Sequence, residues 1–231
     1  MKSARPILVI AAALGVMLTS LAAQSSTLHV FYQDKSGQLV HTSTTGSTWT
    51  RDTTGLFPSS GSTLASFGAS GGTLHAFFVN NSHIVEAYKS GISGWTANDL
   101  SVAASSTTIL ADPSFTELSS FLAPGGSEHV FYTAKSPTSG GNIHVFELYW
   151  TSSTGWRNSD LTNLGHGAAV QADPLSQPFS GFTSFVDGTG EHVFYISKND
   201  FHIHHLYYGT SWVDQDLTQI TATGGGFGGV H

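Results

Sequence analysis

The chain repeats itself four times, and that repetition constrains the fold more than any other feature. The stretches "LHVFYQDKSGQLVHTSTTGSTWTRDTTGL", "LHAFFVNNSHIVEAYKSGISGWTANDLS", "EHVFYTAKSPTSGGNIHVFELYWTSSTGWRNSDLT" and "EHVFYISKNDFHIHHLYYGTSWVDQDLT" lie over one another. Each opens on His-x-Phe-aromatic, at His29, His75, His129 and His192. Each then crosses a polar turn, enters a second apolar run and reaches a lone tryptophan: Trp49, Trp95, Trp156 or Trp212. An aspartate follows, at Asp52, Asp99, Asp160 and Asp216, in three copies as Asp-Leu-Ser/Thr. The starts lie 46, 54 and 63 residues apart, and the drift sits in insertions such as "SPTSGG". Fixed motifs with drifting loops mark a repeated structural unit.

Ahead of copies two to four stands another short apolar stretch, carrying Phe67, Phe121 and Phe185. Each unit therefore reads as four short strands separated by Gly, Ser and Asn turns. The run "EHVFYIS" is apolar on both faces, as a strand covered from both sides requires. Stacked four-stranded antiparallel units of this length describe propeller blades. The expected fold is all-β, a β-propeller of about four blades, open or incomplete, with repeats starting near 27, 63, 115 and 179. Copy one lacks a leading strand of this kind. The tail "TGGGFGGVH" places Phe227 where the other units carry their leading Phe. Either the tail completes a four-bladed ring, or the chain is a piece of a larger propeller, or partial rings assemble as a homo-oligomer.

Residues 1–23 read as a secretory signal peptide. Lys2 and Arg5 precede an apolar run from Ile7 to Leu18, and the small residues Ala22 and Ala23 suit cleavage. The run is short for a membrane span, which needs about 20 residues. The expectation is a secreted, extracellular domain over 24–231 with no membrane insertion. Without Lys2 and Arg5, six basic residues face fifteen acidic ones, which disfavours a nucleic-acid partner. The chain has no cysteine, so core packing and strand pairing must hold an exported protein without disulfides.

Polar residues recur inside the apolar strands. His29, His75, His129 and His192 stand on the first strand of each hairpin, and His41, Glu86, Glu147 and His205 on its partner. Such groups are paired or solvated, because burying one alone costs several kcal/mol. One reading makes each pair a hydrogen-bonded staple within its hairpin. The other makes it a polar hook in a cleft between blades, beside a Trp able to stack on a sugar ring while the pair binds hydroxyls. In "FHIHH", His202 and His204 could share a zinc ion, but no other copy repeats the pattern, and no metal or other cofactor is expected. Catalytic residues are not expected either. A glycosidase needs two carboxylates across the scissile bond, and the five glutamates Glu86, Glu117, Glu128, Glu147 and Glu191 do not announce such a pair.

The string "EHVFYISKNDFHIHHLYYGTSWVDQDLT" resembles blades of the fucose-binding β-propeller lectins of fungi and bacteria, six-bladed in fungi and seven-bladed in one bacterial branch. There a His-Val-x-Tyr strand, a His-x-Glu-Leu-Trp-like strand, a Gly-Trp turn and an Asp-Leu-Thr ending recur in each blade. The resemblance runs from about Thr27 to Thr218. In the fungal members an Arg and a Glu grip fucose between blades, with aromatic stacking. Carried over, the Glu role falls on Glu86 and Glu147 and the aromatic role on Trp95, Trp156 and Trp212. Histidine stands at each Arg place, as in the bacterial branch, and His41 and His205 replace the Glu in the outer copies. The resemblance implies a multivalent lectin for fucosylated or related glycans. A non-catalytic protein-interaction scaffold and a glycan hydrolase are the alternatives.

Overall fold

A computed structural model of the chain describes residues 21–24, 27–45, 47–106, 109–168, 181–197 and 199–222. Sixteen strands form four antiparallel sheets, each in chain order. Blade one holds β1 (Leu21–Gln24), β2 (Thr27–Gln33), β3 (Leu39–Thr44) and β4 (Trp49–Thr53). Blade two holds β5 (Leu64–Gly68), β6 (Leu74–Asn80), β7 (His83–Lys89) and β8 (Thr96–Asp99). Blade three holds β9 (Leu118–Leu122), β10 (Glu128–Lys135), β11 (Ile143–Thr151) and β12 (Gly155–Asp160). Blade four holds β13 (Thr183–Val186), β14 (Glu191–Ile196), β15 (Ile203–Tyr208) and β16 (Trp212–Asp216). The expected four-stranded units are therefore present. Their aromatic and β-branched runs suit a pleated surface covered on both sides. The hairpin from β6 to β7 turns on two residues, Asn81 and Ser82, both at positive φ (49° and 67°). That geometry follows the twist of the flanking strands.

Period-two alternation sends the two faces of each blade to different neighbours. The His-x-Phe face meets the following blade, and the alternate residues meet the preceding one. Phe31 and Leu39 of blade one thus pack with Leu74, Ala76 and Phe78 of blade two. Phe77, Val79 and Ile84 pack with Val130, Tyr132 and Phe146, and Phe131 and Val145 with Val193, Tyr195 and Leu206. The core is thus three interblade layers, with the leading strands β1, β5, β9 and β13 succeeding one another side by side.

The Asp-Leu-Ser/Thr endings lock the sheets of blades two to four. In α1 (Leu100–Ala103) and α2 (Leu161–Leu164), Asp99 and Asp160 accept hydrogen bonds from the backbone N–H of Val102 and Asn163 as N-caps. Asp216 does the same for Gln219 in α3 (Leu217–Ala222). Leu100 and Leu161 are fully buried. Ser101, Thr162 and Thr218 accept from the backbone N–H of Ile84, Val145 and Ile203, at 2.9 Å in each case. The same aspartates hold a second histidine series: His83 to Asp99 at 2.6 Å, His144 to Asp160 at 2.8 Å and His202 to Asp216 at 2.7 Å.

Blade one departs twice from the sequence reading. Its leading strand exists, because β1 pairs with β2 from Leu21↔Val30 to Gln24↔Thr27. This strand lies across the expected signal cleavage points after Ala22 and Ala23. In addition, Asp52 is not the counterpart of Asp99. Thr53 faces Val40 as Asp99 faces Val85, so Asp52 sits one residue earlier, opposite His41. The Trp-to-Asp spacing is one shorter in this copy, and the side chain points to the other face of the sheet.

Among the described residues, the two end blades leave aromatic side chains exposed. Phe185 on β13 is 45% exposed, whereas its counterparts Phe67 and Phe121 are 7% and 8% exposed. Trp49 is 51% exposed, while the other three repeat tryptophans are partly buried. Closure by the tail and Phe227 lies outside the described residues. No helix among the described residues is long and apolar enough to cross a membrane.

Candidate functional site

The paired polar residues do meet, diagonally across each central hairpin on the face turned to the next blade. Phe77 opposes Glu86 and His75 opposes Tyr88, which brings His75 to Glu86 across one step. His75 Nδ1 lies 2.7 Å from Glu86 Oε1, and His129 Nδ1 lies 2.7 Å from Glu147 Oε1. The outer blades substitute a second imidazole: His29 Nδ1 lies 2.9 Å from His41 Nε2, and His192 Nδ1 lies 2.9 Å from His205 Nε2. A leading-strand ring stacks on each of the later histidines: Phe67 on His75, Phe121 on His129 and Phe185 on His192, at 4.8, 5.0 and 4.5 Å. The histidines are thereby held between a ring and a hydrogen bond.

The tryptophan of the following blade packs on the face that carries each pair, touching the pair itself in the first junction and the neighbouring aromatic layer in the other two. Trp95 of blade two stands edge-on to Phe31 and His41 of blade one, 5.6 Å from each. Trp156 of blade three packs on the layer containing Phe77. Trp212 of blade four meets Phe131 edge-on at 6.4 Å. Glu86 therefore lies on the same interblade layer as Trp156, and Glu147 on the same layer as Trp212. His192 and His205 have no following tryptophan among the described residues, and Trp49 has no preceding pair there. The sequence reading grouped each Trp with its own copy; the stacking order moves it one copy along.

The following blade also contributes a polar residue that the sequence reading left without a role. Glu128 and Glu191 immediately precede His129 and His192, so alternation turns them to the preceding blade. Glu128 Oε2 comes within 3.7 Å of His75 Nδ1, and Glu191 Oε2 within 3.4 Å of His129 Nδ1. Burial raises the pKa of both glutamates, and the charge of Glu86 or Glu147 adds to it, so that Glu191 is pushed up to about 7. Burial works to lower His129, but the hydrogen bond and charge of Glu147, with Glu191, outweigh it and raise the imidazole.

The junction of blades one and two is built differently. Leu74 stands where Glu128 and Glu191 stand in later blades. Asp52 accepts from Lys89 Nζ at 2.5 Å and from Trp95 Nε1 at 2.9 Å. Burial would raise Asp52, but these two donors outweigh it and hold its pKa down. His41 is lowered to about 4, first by burial and then by the neighbouring His29. Its Nδ1 is buried without a hydrogen-bond partner.

In "FHIHH", His202 and His204 both approach Asp200 Oδ2, at 3.7 and 3.5 Å, but each has its own closer partner. His204 pairs with Asp214 at 2.6 Å, while His202 takes Asp216. A carboxylate for each is present, which the sequence reading did not find. The three histidines of this stretch thus take different partners: His205 pairs with His192, His202 joins the end latch and His204 makes a cross-strand pair with Asp214. Gly68–Gly72 spells Gly-x-Ser-x-Gly, yet it forms a 3-10 turn at Ser70–Gly72 between antiparallel strands. It lacks the strand–turn–helix setting that makes such a serine a nucleophile.

No family model matches the chain, and no curated protein matches it. Solved structures do. A structure titled AofleA from Arthrobotrys oligospora superposes with a TM-score of 0.60 at 16% identity, covering 88% of this chain and 57% of its own. A fungal lectin described as a six-bladed β-propeller with a novel fucose recognition mode, from Aleuria aurantia, gives 0.59 at 20% identity, covering 84% and 61%. The fold is a β-propeller. A sialidase, Hadza microbial Hz136, also matches at 0.55 and 12% identity, covering 87% of this chain and 46% of that one. The chain spans less than two thirds of the length of each of these three.

Proposed function

We propose that this β-propeller chain is a secreted, multivalent, non-catalytic lectin that binds fucosylated or related glycans in the clefts between consecutive blades. One observation carries the reading. In each of the three junctions a His–Glu or His–His pair from one blade lies on the same interblade layer as an indole from the next, so hydrogen-bonding groups and an aromatic ring stand side by side. A sugar ring offers the matching pair of surfaces, hydroxyls that need donors and acceptors and an apolar C–H face. The likeness in fold to the fucose-recognising lectin of Aleuria aurantia supports the same reading.

The hydrolase alternative is disfavoured by geometry. Glu86 and Glu128 put their oxygens within 4.8 Å of one another, with His75 Nδ1 in the same group. Retaining glycosidases space their carboxyl groups about 5–5.5 Å apart around a scissile bond, and inverting ones further. Here an imidazole fills that space. The scaffold alternative draws on the burial of the pairs, which suits a staple. A glycan array probed with the purified chain decides between them. Binding to fucosylated glycans, inhibited by free fucose, is the expected result; an array without any bound glycan would overturn the proposal.

A further inference from the structure

The two later junctions carry an excess of negative charge that the first one does not. Between blades one and two, the Asp52 carboxylate of one blade meets the Lys89 ammonium of the next. Lys89 stands directly opposite Leu74 at the start of the hairpin. In blades three and four the same two positions hold Glu128 opposite Trp150 and Glu191 opposite Tyr208. The following blade therefore supplies a cation to the first junction and a carboxylate to the second and third. There the preceding blade already presents a carboxylate, Glu86 or Glu147, on its histidine. Two carboxylates then face one imidazole in a largely dry layer, where like charges repel strongly.

We infer that each of these two junctions binds one divalent transition-metal cation, held by His75, Glu86 and Glu128 in one and by His129, Glu147 and Glu191 in the other. The donor atoms of each group lie within 4.8 Å of one another. Ligands about 2.0–2.2 Å from an ion stand about 3–4 Å apart, so the widest pair closes by less than about 1 Å while the hydrogen-bonded His–Glu pair, at 2.7 Å, opens by a few tenths of an ångström. One imidazole nitrogen with two carboxylates suits zinc, cobalt or manganese; calcium takes six to eight oxygens. Three protein donors leave at least one coordination position for water. In the bound form Nδ1 of His75 or His129 is the ligand and the neutral ring holds its one hydrogen on Nε2: an imidazolium releases one proton to solvent, and a neutral ring with the hydrogen on Nδ1 exchanges it for one on Nε2. Because its ligands come from two blades, the ion fastens them together as Lys89 and Asp52 fasten the first two. This inference stands without the glycan reading, since no sugar enters the argument or the test.

The test uses the full chain, stripped with chelator and titrated with Co2+ while its visible d–d absorption is followed. Glu128→Gln and Glu191→Gln are each expected to remove one equivalent of bound cobalt, and the double variant two, with the far-ultraviolet circular dichroism unchanged. An ion held instead at the surface group of Asp200, His204 and Asp216 would persist equally in all four proteins. Independently of the variants, Zn2+ is expected to raise the melting temperature of the stripped wild-type chain, since a ligand that binds only the folded state stabilises it. A double variant that binds as many equivalents as wild type, or a wild-type chain that neither binds cobalt nor melts higher with zinc, would overturn the inference.

Discussion

His41 occupies the place that Glu86 fills in the next blade, so the first pair is made of two imidazoles. Two imidazoles 2.9 Å apart cannot both be protonated without setting donor against donor. His29, His41 and His205 are all lowered, first by burial. For a base with a lowered folded pKa, the unfolded chain binds more protons throughout the interval between the two values. The contribution of His41 is therefore complete above about pH 6.5 and falls away as pH drops towards 4. The loss amounts to about 3 kcal/mol over that interval. Urea unfolding of wild type and His41→Gln at pH 7 and pH 4 measures it. The gap between wild-type and variant stability should shrink on acidification; a gap independent of pH would contradict the assignment.

The end of each sheet in blades two to four joins several repeat motifs into one device. Asp160 caps α2 and grips His144, and Thr162, two residues on, takes the N–H of Val145. Asp160→Ala removes the cap and strands a buried imidazole, at a cost of about 2 kcal/mol. Thr53 holds the same register in blade one but is exposed and lacks such a helix, so Thr53→Ala should cost under about 0.5 kcal/mol. Denaturant midpoints for the two variants check the pair, and equal losses would contradict the latch. At this scale much was legible. The four-strand units, the turns, and the meeting of His75 with Glu86 or His129 with Glu147 follow from alternation and strand order. The latch was visible as a repeated Asp-Leu-Ser/Thr but carried no role, because His83, His144 and His202 lie across the sheet from their aspartates. Asp52 was misplaced by a single residue, enough to turn a side chain through to the other face. Strand β1 was hidden inside an apolar leader-like segment.

Across the whole molecule, the relation between blades decides the site, and a single repeat unit does not contain it. Local sequence shows that a Trp follows each pair by seven to nine residues, but the ring reaches back to the face of the preceding blade that carries its pair. Glu128 and Glu191 were equally hidden. Beside a histidine in the sequence they read as exposed strand ends, and only stacking brings them onto His75 and His129. The central claim is that glycan is bound by groups drawn from consecutive blades. A double-mutant cycle in calorimetric titrations with a fucosylated ligand tests it most directly, using Glu86→Gln with Trp156→Ala and, as the control, Glu86→Gln with Trp95→Ala. Groups that share one bound sugar should couple by about 1 kcal/mol or more, while separate clefts should be additive within about 0.5 kcal/mol. The account predicts coupling for Glu86 with Trp156 and additivity for Glu86 with Trp95. Coupling within blade two and additivity across blades two and three would contradict it.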